Sequence, residues 1–268
     1  MISIVVPIKQ VPDMERVKFN TETGTVDRTS APGEINPFDL NALEAAVQIK
    51  EKLGGTVTTI SMGPPQAEFS VRDTLSRGAD RGILLVDRAF AGADTLATSY
   101  TLASAIRKLG EFDLIVCGEK TVDGDTGQVG PEIAEWLGIP HVAYVSGIEE
   151  IGEKFTVICD MEGDRYSIES HLPLLITVTK DINMPRLPAF ADKLKARKAE
   201  IEKWTADDLS SVADPSRFGL KGSPTRLNKV IVPSEEGRKG EVFRGSTAET
   251  TAKIIDAFEE GGVLENIR

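Results

Sequence analysis

The sequence predicts an α/β protein with an open, mostly parallel sheet and flanking helices. Short apolar runs rich in β-branched residues, such as 2–8 and 112–118, alternate with segments of helical period. Strands that alternate with helices of this length are typical of βαβ units. Runs that are apolar throughout, rather than at every second residue, indicate strands buried on both faces, as parallel strands are.

The first elements follow in order from the amino terminus. A strand over 2–8 precedes a polar stretch with a hairpin expected around Thr23-Gly24. A helix then opens at Asn36-Pro37 and ends at Gly54-Gly55. Asn suits the N-cap, Pro the first helical position, and glycine the carboxyl end of a helix.

The alternation continues to residue 137. Strands are expected over 56–62, 81–87 and 112–118, and helices over 65–77 and 129–137. Between the last two strands, Asp94 is expected to cap a helix, and the inner face of that helix comprises Leu96, Tyr100, Ala103 and Ile106.

The pattern changes in the second half of the chain. Three β-rich segments between 154 and 180 (KFTVICD, RYSIES and LLITVTK) are joined by short polar turns, which favours antiparallel pairing. From 181 to 268, the one strong period predicts a last helix over 246–260. We therefore expect a domain over 1–204 and an extension over 205–268 that packs on another protein.

Composition excludes several classes of function. The chain has 268 residues, 31 Lys+Arg, 42 Asp+Glu and a net charge of -11, which argues against a general nucleic-acid binder. With two His and two unclustered Cys, one chain cannot supply a four-thiolate cluster or a structural zinc site. The Cys usage favours a reducing, cytoplasmic compartment, and no apolar run is long enough for a membrane span.

A glycine-rich loop is the strongest candidate for a ligand site. Ligands of open α/β sheets bind outside the carboxyl ends of the strands, which here are Pro7–Gln10, Ser61–Gly63, Asp87–Arg88 and Cys117–Gly118. After the last of these, residues 123–131 read DGDTGQVGP and lead into a helix whose N–H groups suit a phosphate. A sharp turn capped by Asp explains the same residues. Neither GxGxxG nor GxxxxGK[ST] is present.

Three further features have a structural and a functional interpretation. Asp94 is explained as a cap, while the hydroxyls of Thr95 and Thr98 could serve a pyrophosphate. Cys117 is expected to be a small buried hydrophobe, and a nucleophile only if His141 came near. The third feature is a basic cluster that follows the apolar, proline-containing segment 186–190. Either a solvated helix face or a docking segment for a partner explains it. The cluster comprises Lys193, Lys195, Arg197, Lys198 and Lys203.

Further motifs accompany the loop 123–131, namely KQVPD at 9–13, NPFDLNALEA at 36–45, SMGP at 61–64, RGAD at 77–80, DTLAT at 94–98 and GLKGSPT at 219–225. Taken together, they resemble the beta (small) subunit of electron transfer flavoproteins over almost the whole chain. An ATP-using enzyme or nucleotide sensor of similar Rossmann-like fold fits less well, because no phosphate-loop motif is present.

The resemblance implies a heterodimer with an alpha subunit that holds the electron-transferring FAD. In the bifurcating type the beta subunit binds a second FAD that NADH reduces, and electrons pass on to a ferredoxin or flavodoxin as well as a dehydrogenase. In the respiratory type it binds structural AMP and serves acyl-CoA dehydrogenases. The loop 123–131 is more similar to the bifurcating type, so we expect FAD. The subunit itself needs no catalytic acid, base or nucleophile, since the flavin supplies the redox chemistry.

The resemblance also implies which residues bind the cofactor and the partner. The cofactor-binding residues are Pro7, Lys9, Asn36, Asp39, Met62, Gly63, Asp94, Thr95, Thr98, Cys117, Gly118, Asp123, Gly124, Asp125, Thr126, Gly127, Gln128, Val129, Gly130 and Pro131. A recognition loop at about 184–203 anchors an acyl-CoA dehydrogenase or an FAD-linked 2-hydroxyacid dehydrogenase through Arg186, Leu187, Phe190, Lys193 and Lys195. Phe190 stands where the family usually has Leu. The extension 205–268 would wrap on the alpha subunit.

Overall fold

The computed structural model describes residues 1–13, 18–20, 25–27, 33–152, 154–225 and 240–263. The chain divides into two units, Met1–Lys229 and Val230–Arg268. The first unit contains the sheet and the candidate site. In the second unit the structure describes one exposed helix.

The strands and helices of the described residues follow the expected alternation in the first half of the chain. The strands are β1 (Ile2–Ile8), β2 (Gln10–Pro12), β3 (Lys18–Asn20), β4 (Thr25–Asp27), β5 (Gly33–Ile35), β6 (Gly55–Met62), β7 (Arg81–Leu85), β8 (Leu114–Gly118), β9 (His141–Ile151), β10 (Phe155–Met161), β11 (Asp164–Ser170), β12 (Leu174–Val178) and β13 (Glu202–Trp204). The helices are α1 (Pro37–Leu53), α2 (Glu68–Ser76), α3 (Thr95–Leu109), α4 (Val129–Leu137), α5 (Phe190–Lys198), α6 (Gly219–Gly222) and α7 (Thr247–Glu260).

The main sheet confirms the predicted fold class. Its strand order is β11-β10-β9-β12-β8-β1-β6-β7-β13. All neighbours from β9 to β13 in that order are parallel, and β9, β10 and β11 form an antiparallel edge. The hairpin expected around Thr23-Gly24 is supported by the antiparallel pair β3–β4, although those two residues lie outside the described part.

The helices cover the two faces of the sheet in separate layers. Side chains of β1 alternate between them, since Ile4 and Val6 pack with α1 and α2, whereas Val5 packs with α3 and α4. Both layers are apolar and fully buried, which explains why β1 is apolar at successive positions.

One expectation about the second half was wrong. The segment LLITVTK does not pair antiparallel, because β12 lies between β8 and β9 and is parallel to both. The stretch 181–204 contains α5, which carries most of the basic cluster as a solvated helix face, and the strand β13, which was not predicted. In α3, Leu96 is exposed, although it was expected on the inner face of the helix. The last helix, Thr247–Glu260, lies close to its predicted bounds.

Residues 205–225 pack against α3 and the turn Arg88–Phe90 through aromatic side chains. Phe218 is 1% exposed and meets Phe90 edge to face, with ring centroids 5.1 Å apart. The hydroxyl of Tyr100 on α3 accepts a 2.8 Å hydrogen bond from the main-chain N–H of Asp214. The first unit therefore continues beyond β13. The packing of 205–268 on an alpha subunit stays a prediction.

Replacing Phe218 by Ala should destabilise the chain by about 3–5 kcal/mol, because the substitution removes a fully buried ring and leaves a cavity. Phe190→Ala is the matched control: the same ring is removed where it is 77% exposed, and we expect a change within about 0.5 kcal/mol. Urea unfolding of both variants measures the difference. Equal effects of the two substitutions would contradict the packing described for Phe218.

Candidate functional site

The order of the strands reverses at β1, which places a candidate site at the carboxyl ends of β1 and β8. From β1 the chain passes through α1 and α2 to β6 and β7 on one side, and α3 then returns it to β8 on the other side. Ligands of open α/β sheets bind where the order reverses in this way, because the loops diverge there. We call Lys9, Asn36, Asp39, Gly118 and the loop 119–128 the switch-point site.

An ion pair joins the two sides of the switch-point site. Nζ of Lys9, which follows β1, lies 2.6 Å from Oδ1 of Asp123 in the loop after β8. The Asp123 side chain is 8% exposed, so solvent screens this pair less than a surface pair. Lys9 also neutralises a carboxylate that would otherwise repel a phosphate bound to this loop.

Asn36 holds the same loop through its side chain. Its Nδ2 donates to the carbonyl oxygen of Lys120 at 2.9 Å, and its Oδ1 accepts from the N–H of Val122 at 3.2 Å. Asn36 occupies the N-cap position of α1 as predicted, but its side chain makes no capping hydrogen bond. The amide is fully buried and is used to fix a loop more than 80 residues away along the sequence.

Asp39 ties the ends of β1 and β8 together from the first turn of α1. Its Oδ2 accepts from the main-chain N–H of Lys9 at 2.8 Å, and the N–H of Gly118 also donates to its carboxyl group. Burial raises the pKa of Asp39 to about 7, although the hydrogen bond from Lys9 opposes that shift. A Cβ atom at Gly118 would lie 2.5 Å from Oδ1 of Asp39, so only glycine permits this close approach.

The loop 119–128 is a tight turn shaped by its own main chain. The N–H groups of Gly124 and Asp125 donate to the carbonyl oxygen of Thr121. Asp125 and Gly127 have positive φ, and Asp125 Oδ1 lies 2.9 Å from Nζ of Lys120. Thr126 and Gln128 are exposed beside them.

Helix α4 begins directly after this loop, at the predicted residue. Val129 is its first residue and Pro131 its third. A Cβ atom at Gly130 would lie 2.7 Å from Cγ2 of Thr177 in β12. Gly130 therefore brings the first turn of α4 against the sheet, which directs the N–H groups of that turn toward the strand ends.

On the same face of the sheet as α4, α3 places Thr95 beside the switch-point site. Thr95 Oγ1 lies 3.2 Å from Oε1 of Gln128 and 3.3 Å from Oε1 of Glu132. Asp94 caps α3 as predicted, accepting from the N–H of Ala97 at 3.0 Å. Its other oxygen accepts from the N–H of Thr225. Thr98 lies in the same first turn and is half-buried.

Sequence reasoning missed Glu132. It follows the predicted loop by one residue, in the first turn of α4, and its side chain meets Thr95 across the α3–α4 contact. The signal available in the sequence was an acidic residue in the first turn of a helix that opens at the candidate loop. Its contact with Thr95, 37 positions earlier in the sequence, is visible only in the structure.

The remaining strand ends differ in what they contribute. Pro7 lies in β1 beside Ile60, and Met62-Gly63 ends the neighbouring strand β6. Asp87 follows β7 and accepts from the N–H groups of Ala89 and Ala206, so its carboxylate fixes the local chain.

Cys117 is a buried apolar side chain, as expected. It packs in the α3–α4 layer, and burial together with the nearby Asp39 charge raises the pKa of its thiol. His141 is exposed at the start of β9, and the register of the parallel strands sets it level with Ile115 rather than with Cys117. The two side chains therefore do not form a nucleophile–base pair.

The part of the chain that the structure describes contains neither a metal-binding cluster nor a membrane-spanning helix. No group of three His, Cys, Asp or Glu side chains is placed to hold a metal ion. No helix within the described ranges is long and apolar enough to cross a membrane.

The segment 184–198 presents apolar and basic side chains to solvent, and we call it the docking segment. Met184 is 89%, Leu187 88% and Phe190 77% exposed. Lys193 and Lys195 on α5 are exposed beside them. Exposed apolar residues with a charged rim are typical of a protein-binding surface.

Arg186 anchors the docking segment to α1. Its guanidinium makes bidentate ion pairs with Glu44, at 2.8 and 3.1 Å, and with Glu51, at 2.6 and 3.0 Å. Its main-chain N–H also donates to Glu44, and its carbonyl oxygen accepts from Arg77. The structure thus gives Arg186 an internal role, between the exposed Met184 and Leu187.

The docking segment and the switch-point site, apart from Lys9, lie within a segment that matches a known family. The model of the electron transfer flavoprotein domain matches residues 23–209. The chain belongs to the electron transfer flavoprotein beta-subunit family. Membership implies an alpha-subunit partner, association with a flavin or nucleotide, and a role in electron transfer.

Curated relatives match this beta subunit over nearly its full length. It is 45% identical over 264 residues to the electron transfer flavoprotein subunit beta of Thermoanaerobacterium thermosaccharolyticum, covering 98% of this chain and 100% of the relative. It is 44% identical over 271 residues to the protein FixA of Azorhizobium caulinodans, covering 98% and 96%. It is 41% identical over 263 residues to subunit CarD of the caffeyl-CoA reductase–Etf complex of Acetobacterium woodii, covering 97% and 99%. The family resemblance drawn from the motifs is confirmed.

The carboxyl of Asp39 should make the stability of this beta subunit fall with rising pH. Its pKa of about 7 in the folded chain exceeds its ordinary 3.8, so the unfolded chain loses a proton that the folded chain keeps. The contribution is complete below about pH 4 and is lost as the pH rises to about 7, with a slope of up to ~1.4 kcal/mol per pH unit. Asp39→Asn should remove that slope.

Urea unfolding at pH 5, 6, 7 and 8 measures this effect as the difference in free energy between the two proteins. The advantage of the native chain over Asp39→Asn should shrink from pH 5 to 7 and then level off. A difference that is constant across this range would contradict a buried carboxyl that holds its proton.

Proposed function

We propose that this beta subunit binds FAD at the switch-point site and serves a bifurcating electron transfer flavoprotein. NADH would be the electron donor. Electrons would pass to the alpha-subunit FAD, to a dehydrogenase and to a low-potential acceptor such as ferredoxin or flavodoxin. The observation that supports this most is the tie between Lys9, Asn36, Asp39 and the loop 119–128, because it preforms a main-chain cradle where the strand order reverses.

The residues at the switch-point site fit a nucleotide cofactor. A bound FAD would supply the redox chemistry by accepting a hydride from NADH and releasing electrons singly. The chain's own residues bind and orient it: the first turn of α4 offers N–H groups to the phosphates, and Lys9 and Lys120 compensate the acidic residues of the loop. Gly118 and Gly130 keep the backbone free of side chains where the ligand and the sheet are close.

FAD is favoured over AMP by the loop and by the relatives. The sequence of 123–131 is more similar to that of the bifurcating type, and one relative is named as a subunit of a caffeyl-CoA reductase–Etf complex. The respiratory type, with structural AMP and a quinone reductase as the final acceptor, is the alternative that the first experiment below separates.

The partners we propose follow from the same assignment. The extension 205–268 would pack on the alpha subunit, and the docking segment would bind an acyl-CoA dehydrogenase or an FAD-linked 2-hydroxyacid dehydrogenase. The buried, unpaired thiols of Cys117 and Cys159 are consistent with a reducing compartment, so we propose the cytoplasm.

Counting the nucleotides of the purified alpha–beta complex tests the proposed cofactor. We expect two FAD and no AMP per heterodimer after denaturation and chromatography, because both subunits would hold a flavin. NADH should bleach the absorbance of both. One FAD with one AMP, or a complex that NADH does not reduce, would overturn the bifurcating assignment.

Phe190→Ala should weaken binding of the partner dehydrogenase without changing the flavins. Exposed aromatic anchors often contribute 2 kcal/mol or more to an interface, so we expect the KM for the partner to rise about 30-fold at unchanged kcat. Tyr166→Ala removes an exposed ring from β11 and is the control. A similar loss of affinity in both variants, or in neither, would argue against the docking segment.

A further inference from the structure

Glu132 lies where the first turns of α3 and α4 meet at the switch-point site. Its Oε1 is 3.3 Å from Oγ1 of Thr95, and the same hydroxyl lies 3.2 Å from Oε1 of Gln128. One proton of Thr95 is thus shared between two acceptors. The negative charge of the Asp94 carboxylate, at the N-cap of α3, lies close enough to Glu132 to interact with it electrostatically.

The second carboxylate oxygen of Glu132 lacks a donor. Among the residues that the structure describes, none forms a hydrogen bond with its Oε2, although that atom is buried. Ser99 does not have a spare proton for it, since its hydroxyl donates to the carbonyl oxygen of Leu96 at 2.9 Å. An unsatisfied buried carboxylate oxygen is costly, so a donor from outside the described chain is expected there.

The chemistry of this cluster selects the kind of donor. Glu132 presents an open carboxylate oxygen here, since both oxygens of Asp94 already accept main-chain N–H groups. The Thr95 proton is shared between Glu132 and Gln128. A phosphate would meet like charge here, whereas a hydroxyl group would find the acceptor it needs. Glu132 lies in the first turn of α4, three residues or ~4.5 Å along the axis from Val129, where the free N–H groups suit a phosphate. A sugar attached to that phosphate covers this distance.

We propose that Glu132 contacts the ligand, its Oε2 accepting a hydrogen bond from a ribose hydroxyl of the bound adenine nucleotide. This inference rests on one part of the proposed function, namely that the switch-point site binds an adenine nucleotide. It does not depend on whether that nucleotide is FAD or AMP, because both contain this ribose. Burial raises the pKa of Glu132, and the nearby hydroxyls of Ser99 and Thr95 oppose that shift. Thr95 then faces the sugar rather than a pyrophosphate.

The test uses the alpha–beta complex stripped of its beta-site nucleotide and titrated with AMP, 2′-deoxy-AMP and 3′-deoxy-AMP. Glu132→Gln preserves the size of the side chain and removes its charge, and Glu132→Ala removes the carboxyl group. Glu135→Gln changes an exposed carboxylate on the same helix and is the control. Circular dichroism and the alpha-subunit flavin spectrum establish that each complex is intact.

In the native complex, one deoxy analogue should bind about tenfold or more weakly than AMP. In both Glu132 variants AMP should weaken by a similar factor, and the analogue should no longer be discriminated. Glu135→Gln should behave as the native complex. If Glu132→Gln and Glu132→Ala still discriminate the analogue as the native complex does, or if the native complex binds all three nucleotides equally, the ribose contact is wrong. Failure of the native complex to bind either FAD or AMP would overturn the nucleotide site itself.

Discussion

The buried carboxyl of Asp39 is the interaction on which the geometry of the site depends. It accepts main-chain N–H groups from the ends of β1 and β8, the two strands between which the sheet reverses its order. Main-chain donors at strand ends need acceptors once they are buried, and no helix or strand partner is available beyond the last residue of a strand. Asp39 supplies the acceptor from the start of α1, where the helix dipole also favours an acidic group.

The same helix start organises the loop after β8. Asn36, just before α1, holds the main chain of Lys120 and Val122, while Lys9 holds Asp123. Residues from the other side of the reversal therefore hold the loop in place, in addition to the hydrogen bonds of its own main chain. A phosphate-loop motif is not needed when side chains from two neighbouring elements fix the main chain of the loop.

The sequence predicted the fold class and most elements of the first half because each has a strong local signal. The placement of β12 was missed because a short polar turn before it suggested a hairpin, although its five residues LLITV are apolar at every position, as a central parallel strand requires. A helix was one of the two interpretations of the basic cluster, but the bounds of α5 were not predicted because its charges have no clear helical period. Arg72 of α2 binds the carbonyl oxygens at the end of α5, a contact that no local pattern encodes. The roles of Asn36 and Glu132 depend on contacts between distant residues, which no local pattern encodes.

Arg186 fixes the main chain of the docking segment without using the exposed side chains of that segment. Two ion pairs with α1 and the bond from Arg77 fix the main chain there, so the neighbouring exposed side chains contribute little to folding. Substitution of those side chains would therefore leave the fold and the switch-point site intact. If the docking segment binds a redox partner as proposed, a few surface substitutions would suffice to exchange one partner for another over evolution.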